Sequence, residues 1–193
     1  MLDLESEKRA LRAELRERRR IHTSTQVAAD SAALTARLIG LATDLHVQSL
    51  AAYLSLPEEP DTRPFLRWTA EQGLRVLLPV SRADGLLDWA PYDGKEEAED
   101  ALGMPVPTTE LLGPIAINDV DLIVVPAACV DRSGMRMGWG RGYFDKTLGS
   151  MERRPPVYAV IFDSELLESV PSEVHDQRVD GVVTPSGITT FSR

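Results

Sequence analysis

The sequence predicts an α/β protein: a three-layer α/β/α, Rossmann-like fold, with a mostly parallel sheet and helices on both faces. Three observations carry this expectation. Short apolar runs rich in β-branched residues alternate along the chain with amphipathic, helix-periodic segments. The clearest run, Asp121-Leu-Ile-Val-Val-Pro126, is continuous rather than alternating, as a strand covered on both faces should be. Its 193 residues, 43% of them hydrophobic, are enough for a core, and at about 150 residues per domain they are expected to form one domain, 1–193.

The elements follow in order. Leu4, Leu11 and Leu15 mark one face of a helix from about residue 4 to 20, whose other faces carry Lys8, Arg9, Arg12, Arg16, Arg18, Arg19 and Arg20. Thr23-Ser24-Thr25 supplies an N-cap, and Val27, Ala28, Leu34, Leu38 and Leu41 continue as a second amphipathic helix. Residues 47–54 form a buried strand, with the loop Ser55-Leu-Pro-Glu-Glu-Pro60 after it. Asp61-Thr62, with Pro64 early in the next helix, starts a segment that should stop near Gly73.

Arg75-Val-Leu-Leu-Pro79 and Leu86-Leu-Asp-Trp89 are short strands, and residues 93–119, acidic and rich in Pro and Gly, are expected to cross the surface. After the strand at 121–126 and a turn-rich run, 131–142, a helix begins at Tyr143. Residues 157–162 form a strand and residues 164–169 a short helix. Val179-Asp-Gly-Val-Val183 is read as the last strand.

Charge and composition remove several classes of function. With 21 Lys and Arg against 30 Asp and Glu, the net charge is −9, which disfavours general nucleic-acid binding. No apolar run approaches the roughly 20 residues of a membrane helix. The acidic opening Met-Leu-Asp-Leu-Glu-Ser-Glu is unlike a secretory signal. Cys129 is the only cysteine, which excludes a disulfide framework and fits a reducing, cytoplasmic setting. It is read as a small buried hydrophobe rather than a nucleophile.

The stretch Asp131-Arg-Ser-Gly-Met-Arg-Met-Gly-Trp-Gly-Arg-Gly-Tyr-Phe-Asp145 is the most informative. It holds glycines at 134, 138, 140 and 142, lies between a buried strand and a helix, and carries Arg136, Arg141 and Asp145. Open parallel sheets place ligands at such crossings. Glycine lets backbone N–H groups approach an anion, and the following helix points its positive end at the same spot. The pattern fits a polyphosphate cradle, although it is neither a Walker loop nor the Gly-x-Gly-x-x-Gly fingerprint. No Gly-x-Ser-x-Gly elbow exists for a serine hydrolase. His175 and Asp176, adjacent in an extended segment, are expected to point apart.

This stretch, with Val125-Pro126 before it, resembles the 5-formyltetrahydrofolate cyclo-ligase (5,10-methenyltetrahydrofolate synthetase) family. Further matches are Lys8-Arg-Ala-Leu-Arg12, Tyr53-Leu-Ser-Leu-Pro-Glu-Glu59, Asp61-Thr62, the segment from Pro171 to Asp176, and Val179-Asp-Gly-Val-Val-Thr184. The chain departs from the family pattern at Phe144, where a second tyrosine is usual, at Met137, where leucine is usual, and at Met104-Pro-Val-Pro107, where an acid or amide is expected between the prolines.

The resemblance implies ATP- and magnesium-dependent cyclisation of 5-formyltetrahydrofolate to 5,10-methenyltetrahydrofolate, with release of ADP and phosphate. It implies an ATP site of Lys8, Arg12, Gly134, Met135, Arg136, Met137, Gly138, Trp139, Gly140, Arg141, Gly142 and Tyr143. Arg136, Arg141 and Tyr143 would be catalytic, Leu54 and Glu59 would bind the folate, and Asp145 and Asp176 would face Mg2+. Tyr53 is read as core and Arg16 to Arg20 as solvated surface. The partners are then small molecules, ATP and 5-formyltetrahydrofolate, with no nucleic acid or membrane, and the protein a monomer or weak homodimer. The alternatives are a non-catalytic nucleotide- or folate-binding relative and another phosphoryl-transfer enzyme on the same fold.

Overall fold

The computed structural model describes residues 3–192; Met1 and Leu2 of the acidic opening lie outside the described residues. Helix α1 (Leu4–Arg20) is capped by Asp3, whose carboxylate accepts from the Ser6 N–H, and α2 (Ser24–Asp44) by the Thr23 hydroxyl, which accepts from the Gln26 N–H. Strand β1 (Ser49–Ala51) leads through a segment that is buried at both ends and exposed at Pro57 and Glu58 to α3 (Arg63–Glu71), with proline in its first turn, and then to β2 (Arg75–Ser81) and β3 (Leu87–Pro91). A small antiparallel pair, β4 (Glu97–Glu99) and β5 (Pro105–Pro107), and a 3-10 turn over Pro114–Asp119 precede β6 (Leu122–Pro126). Strands β7 (Cys129–Asp131) and β8 (Arg136–Met137) then flank the start of the glycine stretch, and α4 (Tyr143–Ser150) follows it. The chain continues through β9 (Val157–Val160), β10 (Leu166–Leu167), β11 (Gly181–Thr184) and β12 (Gly187–Thr190).

The main sheet has the order β12-β11-β9-β6-β1-β2-β3. Its five inner strands are parallel, and β3 and β12 are antiparallel edges. Alternate residues of these buried strands feed two cores. Leu50, Val76, Leu78, Leu122 and Val124 pack under α2 and α3. Ala51, Leu77, Ile123, Val125 and Val157 pack on the other face with Leu148 of α4 and Ile117 of the 3-10 turn. The expected fold class holds.

Helix α1 covers neither face. Its Leu15 joins Ala128, Cys129, Met137 and Val170 in a third core at the carboxyl ends of the strands, over the small sheet β10-β7-β8. Arg19 is 5% exposed and donates to both carboxylate oxygens of Glu165, at 2.6 and 2.9 Å, and to the Ala127 carbonyl at 2.9 Å. Expecting Arg19 on the solvated surface was therefore wrong. Sequence spacing shows an arginine beside Arg18 and Arg20, but not the carboxylate 146 positions away that buries it.

Four other expectations need correction. The strand drawn at 47–54 pairs only over Ser49–Ala51, because the chain then leaves the sheet while staying buried. Residues 93–119 contain the β4–β5 pair as well as surface turns. The helix expected at 164–169 is a 3-10 turn, Asp163–Glu165, followed by β10, since Leu166 and Leu167 pair with Val130 and Asp131. Residues 179–183 do not end the sheet: β12 folds back on β11.

Arg19→Ala should lower the unfolding free energy by about 3–5 kcal/mol, because it leaves the Glu165 carboxylate buried and unpaired. Urea denaturation followed by circular dichroism measures this. A loss below about 1 kcal/mol would show that water reaches Glu165 and that the pair does not hold α1.

Candidate functional site

The strands neighbouring β1 lie on opposite sides of it in the sheet, β2 on one and β6 on the other, so the chain reverses direction across the sheet there. Ligands of open α/β sheets bind outside the carboxyl ends of strands at such a point. A cleft of about 1200 Å³ opens there. One wall carries Tyr53, Leu54 and Glu59, which follow β1, and another carries Pro126 and the stretch from Arg136 to Asp145. Helix α1 lays Lys8, Arg12, Arg16 and Arg19 along it.

Local rules explain the glycine stretch. Asp131 is buried, and its Oδ1 accepts from the N–H groups of Ser133 and Met135 at 2.8 and 3.1 Å, which folds the chain into a tight turn. Gly134 sits in that turn at φ +83°, with the Val179 carbonyl 2.6 Å from where a Cβ would stand. Gly142 caps α4 at φ +69° without a side-chain cap, so the first N–H groups of α4 remain available to the cleft. The Nε of Arg12 donates to the Gly138 carbonyl at 2.9 Å and ties the loop to α1.

Among the sequence-derived site residues, the nucleotide-side set converges. Lys8, Arg12, residues 136–143 and Asp145 all line the cleft, whereas Gly134 and Met135 shape the turn behind it. Met135 is buried and bridges to Arg178. Arg136 is 3% exposed; it meets Asp145 Oδ1 at 3.0 Å and donates to the Pro126 carbonyl at 3.2 Å, while its Nε has no partner. Arg141 is exposed at the rim. The Tyr143 hydroxyl donates to the Arg82 carbonyl, so its ring rather than its hydroxyl faces the cavity.

The acidic end is more crowded than the sequence suggested. Lys8, 4% exposed, reaches Glu173 Oε2 at 2.8 Å and Asp176 Oδ2 at 2.7 Å. Burial alone would raise the Asp176 carboxyl, but the bonds from Lys8 and from the Glu173 N–H outweigh it and hold the group below its ordinary value. Burial likewise works against the Lys8 charge, and the same two carboxylates more than restore it. His175 and Asp176 do not point apart. Residues 174–175 form a turn rather than an extended segment, and His175 Nε2 lies 3.8 Å from Asp176 Oδ1 and 3.6 Å from Glu173. Glu173 was missed because an exposed glutamate carries no local signature; ligand atoms of Glu173, His175 and Asp176 lie within 4.8 Å of one another.

On the other wall, Glu59 Oε2 accepts from the Leu56 N–H at 2.9 Å, and burial holds its carboxyl above the usual glutamate range. Tyr53 is core, as expected, with a buried hydroxyl that has no protein partner. Burial pushes the Cys129 thiol up to about 12, consistent with an inert apolar role.

The fold and cleft define an α/β protein with a cation-lined cleft at the switch point of its sheet. Comparison with known proteins narrows this: a model of the 5-formyltetrahydrofolate cyclo-ligase family matches residues 4–185. A 5-formyltetrahydrofolate cyclo-ligase of Mycolicibacterium smegmatis is 35% identical over 183 residues, 92% of this chain and 93% of that one. The Escherichia coli K12 protein of the same name is 28% identical over 180 residues, 90% of this chain and 98% of that one. The chain therefore belongs to the 5-formyltetrahydrofolate cyclo-ligase family, which makes it a ligase. The Aquifex aeolicus 5,10-methenyltetrahydrofolate synthetase shares its fold, at a TM-score of 0.80 and 22% identity over 96% of this chain and 93% of that one.

The half-buried Glu59 carboxylate predicts a pH signature. Its folded pKa lies above the unfolded value, so the protonated form favours folding and the ionised form opposes it. Its contribution is present at low pH and is lost as pH rises through the folded pKa. Glu59→Gln should then melt above wild type at pH 8 and level with it at pH 4, without ligand, in differential scanning calorimetry. A variant that melts below wild type at pH 8 would show that the carboxylate stabilises the empty fold.

Proposed function

We propose that the cleft binds ATP along the glycine stretch and 5-formyltetrahydrofolate against Leu54 and Glu59, and closes the folate ring between them. The observation that supports this reading is one continuous cleft. It joins Lys8, Arg12 and the loop N–H groups at one end to an apolar wall with a half-buried carboxylate at the other.

Each end fits the chemistry of its ligand. Cations and backbone N–H groups suit phosphate oxygens. A reduced pterin presents N–H donors in one plane, and Glu59 offers an acceptor beside apolar Leu54. Carboxylates are the ligands Mg2+ takes. Both bonds to Asp145, from Arg136 and from the Gln177 N–H, fall on Oδ1, which leaves Oδ2 for an ion. Asp145 and Asp176 would hold Mg2+, with Glu173 beside them. When bound, that ion supplies charge neutralisation to the phosphates.

The residues then act by placement. The N-formyl group is an amide, so its carbon is unreactive and its oxygen a poor leaving group. The formyl oxygen attacks the terminal phosphorus of ATP; the new O–P bond forms as the bond to the ADP oxygen breaks. The resulting iminium phosphate is attacked at carbon by N10. The C–O bond then breaks, phosphate departs, and N10 loses its proton. Lys8, Arg12 and Arg141 neutralise phosphate charge, Arg136 braces Asp145 and the loop, and the Tyr143 ring bounds the cavity. Such positioning and charge stabilisation can supply most of a phosphoryl-transfer acceleration. The partners are these small molecules, the setting is the cytoplasm, and the protein works as a monomer or weak homodimer.

Purified protein with ATP, Mg2+ and 5-formyltetrahydrofolate should develop the near-ultraviolet band of the methenyl product, and omission of any one component should abolish it. A flat trace with all components present, from folded protein, overturns the activity. Glu59→Gln should weaken folate affinity about five- to a hundredfold, the equivalent of about 1–3 kcal/mol, and leave ATP affinity within twofold by calorimetric titration. Unchanged folate affinity would return Glu59 to a loop-closing role.

A further inference from the structure

Helix α1 lies along the cleft from its acidic end towards the folate wall. Lys8 meets Glu173 and Asp176, Arg12 meets Gly138, and Arg20 meets Glu58, next to Glu59. Arg16, four residues beyond Arg12, therefore stands between the glycine stretch and the folate wall, and it lines the cavity. At 1.5 Å per residue, Lys8 to Arg16 covers about 12 Å, comparable to an extended triphosphate with the atom that receives its last group.

Arg16 also differs from its neighbours in charge pairing. Lys8, Arg12, Arg18, Arg19 and Arg20 each have a carboxylate partner. Among the described residues Arg16 has no hydrogen bond or ion pair. Its guanidinium lies 5.2 Å from the centre of the Trp139 ring, the residue at the middle of the glycine motif. Arg19 also lies over that indole, 4.8 Å from the ring centre, and among the described residues the buried indole Nε1 has no partner. An arginine over a ring keeps all five N–H donors free, and the ring holds it less strongly than a charge-assisted bond to phosphate would.

We infer that Arg16 is a further catalytic residue, which rests on the Trp139 ring when the cleft is empty and binds the terminal phosphate of the nucleotide at the point of transfer. This rests on the nucleotide reading of the cleft given above. Arg16 keeps its proton throughout; its donors go to the non-bridging oxygens of the group that passes from ADP to the formyl oxygen. With Lys8 and Arg12 on the inner phosphates in this arrangement, Arg16 would distinguish a triphosphate from a diphosphate.

The test is calorimetric titration of wild type and Arg16→Gln with ADP, with a non-hydrolysable ATP analogue and with 5-formyltetrahydrofolate. Each is followed by Trp139 fluorescence, with Trp139→Phe subtracting the signal of the other indoles. The inference expects affinity for the triphosphate analogue to fall on the order of tenfold or more, with ADP and folate affinities within twofold of wild type. Arg16→Lys should recover part of the loss, and the unfolding midpoint should not move, since the side chain is exposed. Equal losses for ADP and the analogue would overturn the assignment to the terminal phosphate. A loss confined to folate would make Arg16 a carboxylate-binding residue and overturn it as well, as would no change at all. If wild type itself binds neither nucleotide, the nucleotide reading fails and takes this inference with it; if wild type binds both and the variant matches it, only the inference fails.

Discussion

The buried bond between Arg19 and Glu165 fixes the part of the molecule on which the cleft depends. Sheet packing orients α2, α3 and α4, but α1 touches neither face, and apart from Arg19 it is held by Leu15 with a few partly buried neighbours and by the bonds of Lys8 and Arg12. Through Arg19 it is joined to the 3-10 turn that carries Glu165, to Ala127 at the end of β6, and to Trp139 in the glycine motif. Glu165 also accepts from the Phe162 N–H at 2.9 Å, so the carboxylate is itself held by the chain that leaves β9. Eleven residues of α-helix come to about 20° past three full turns, so Arg19 shares its face with Lys8. Fixing one therefore aims Lys8, Arg12 and Arg16 together. A buried pair of this kind adds little net stability over an apolar pair of equal size, and its value here is geometric.

The same economy governs charge inside the cleft. Lys8 is shared between two carboxylates and Arg136 is spent on Asp145, so the acids that would face an ion are partly neutralised beforehand. On the proposed function, a magnesium nucleotide would exchange partners among groups already desolvated, instead of burying new charges. Arg16 and Arg141, which have no carboxylate partner among the described residues, line the cleft as exposed cations. A chain of net charge −9 thus sets these two cations along its cleft.

How much of this was readable in the sequence depended on whether the cause was local. The caps of α1 and α2, the proline at the start of α3 and the continuous apolar run of β6 are decided within a few residues, and each element appears where expected. The glycine stretch was legible for the same reason: its turn is made by Asp131, Gly134 and Gly142 within one segment. What escaped depends on distant partners. Arg19 looks like any arginine on a polar helix until Glu165 is brought to it. Leu166-Leu167 has helical neighbours in sequence and becomes a strand because β7 offers an unpaired edge. Glu173 gains meaning only from Lys8, 165 residues away. Motif resemblance reached across some of these distances, since it named Lys8, Asp145 and Asp176 together, but it passed over Arg16, Arg19 and Glu173.

Polar atoms left unsatisfied show where the fold gives up stability. Among the described residues, four buried side-chain atoms have no partner: Tyr53 Oη, Trp89 Nε1, Arg136 Nε and Trp139 Nε1. Three of the four belong to residues that line the cleft. An unpaired buried donor costs about 1–3 kcal/mol, a large fraction of the margin by which a domain stays folded. Burial also works against the Glu59 carboxylate on the same wall. Costs of this kind gathered around one cavity, with only Trp89 of the four away from it, are what a site shaped for its occupied state requires. A ligand with matching polar atoms would then recover in binding what the empty cleft forgoes in folding.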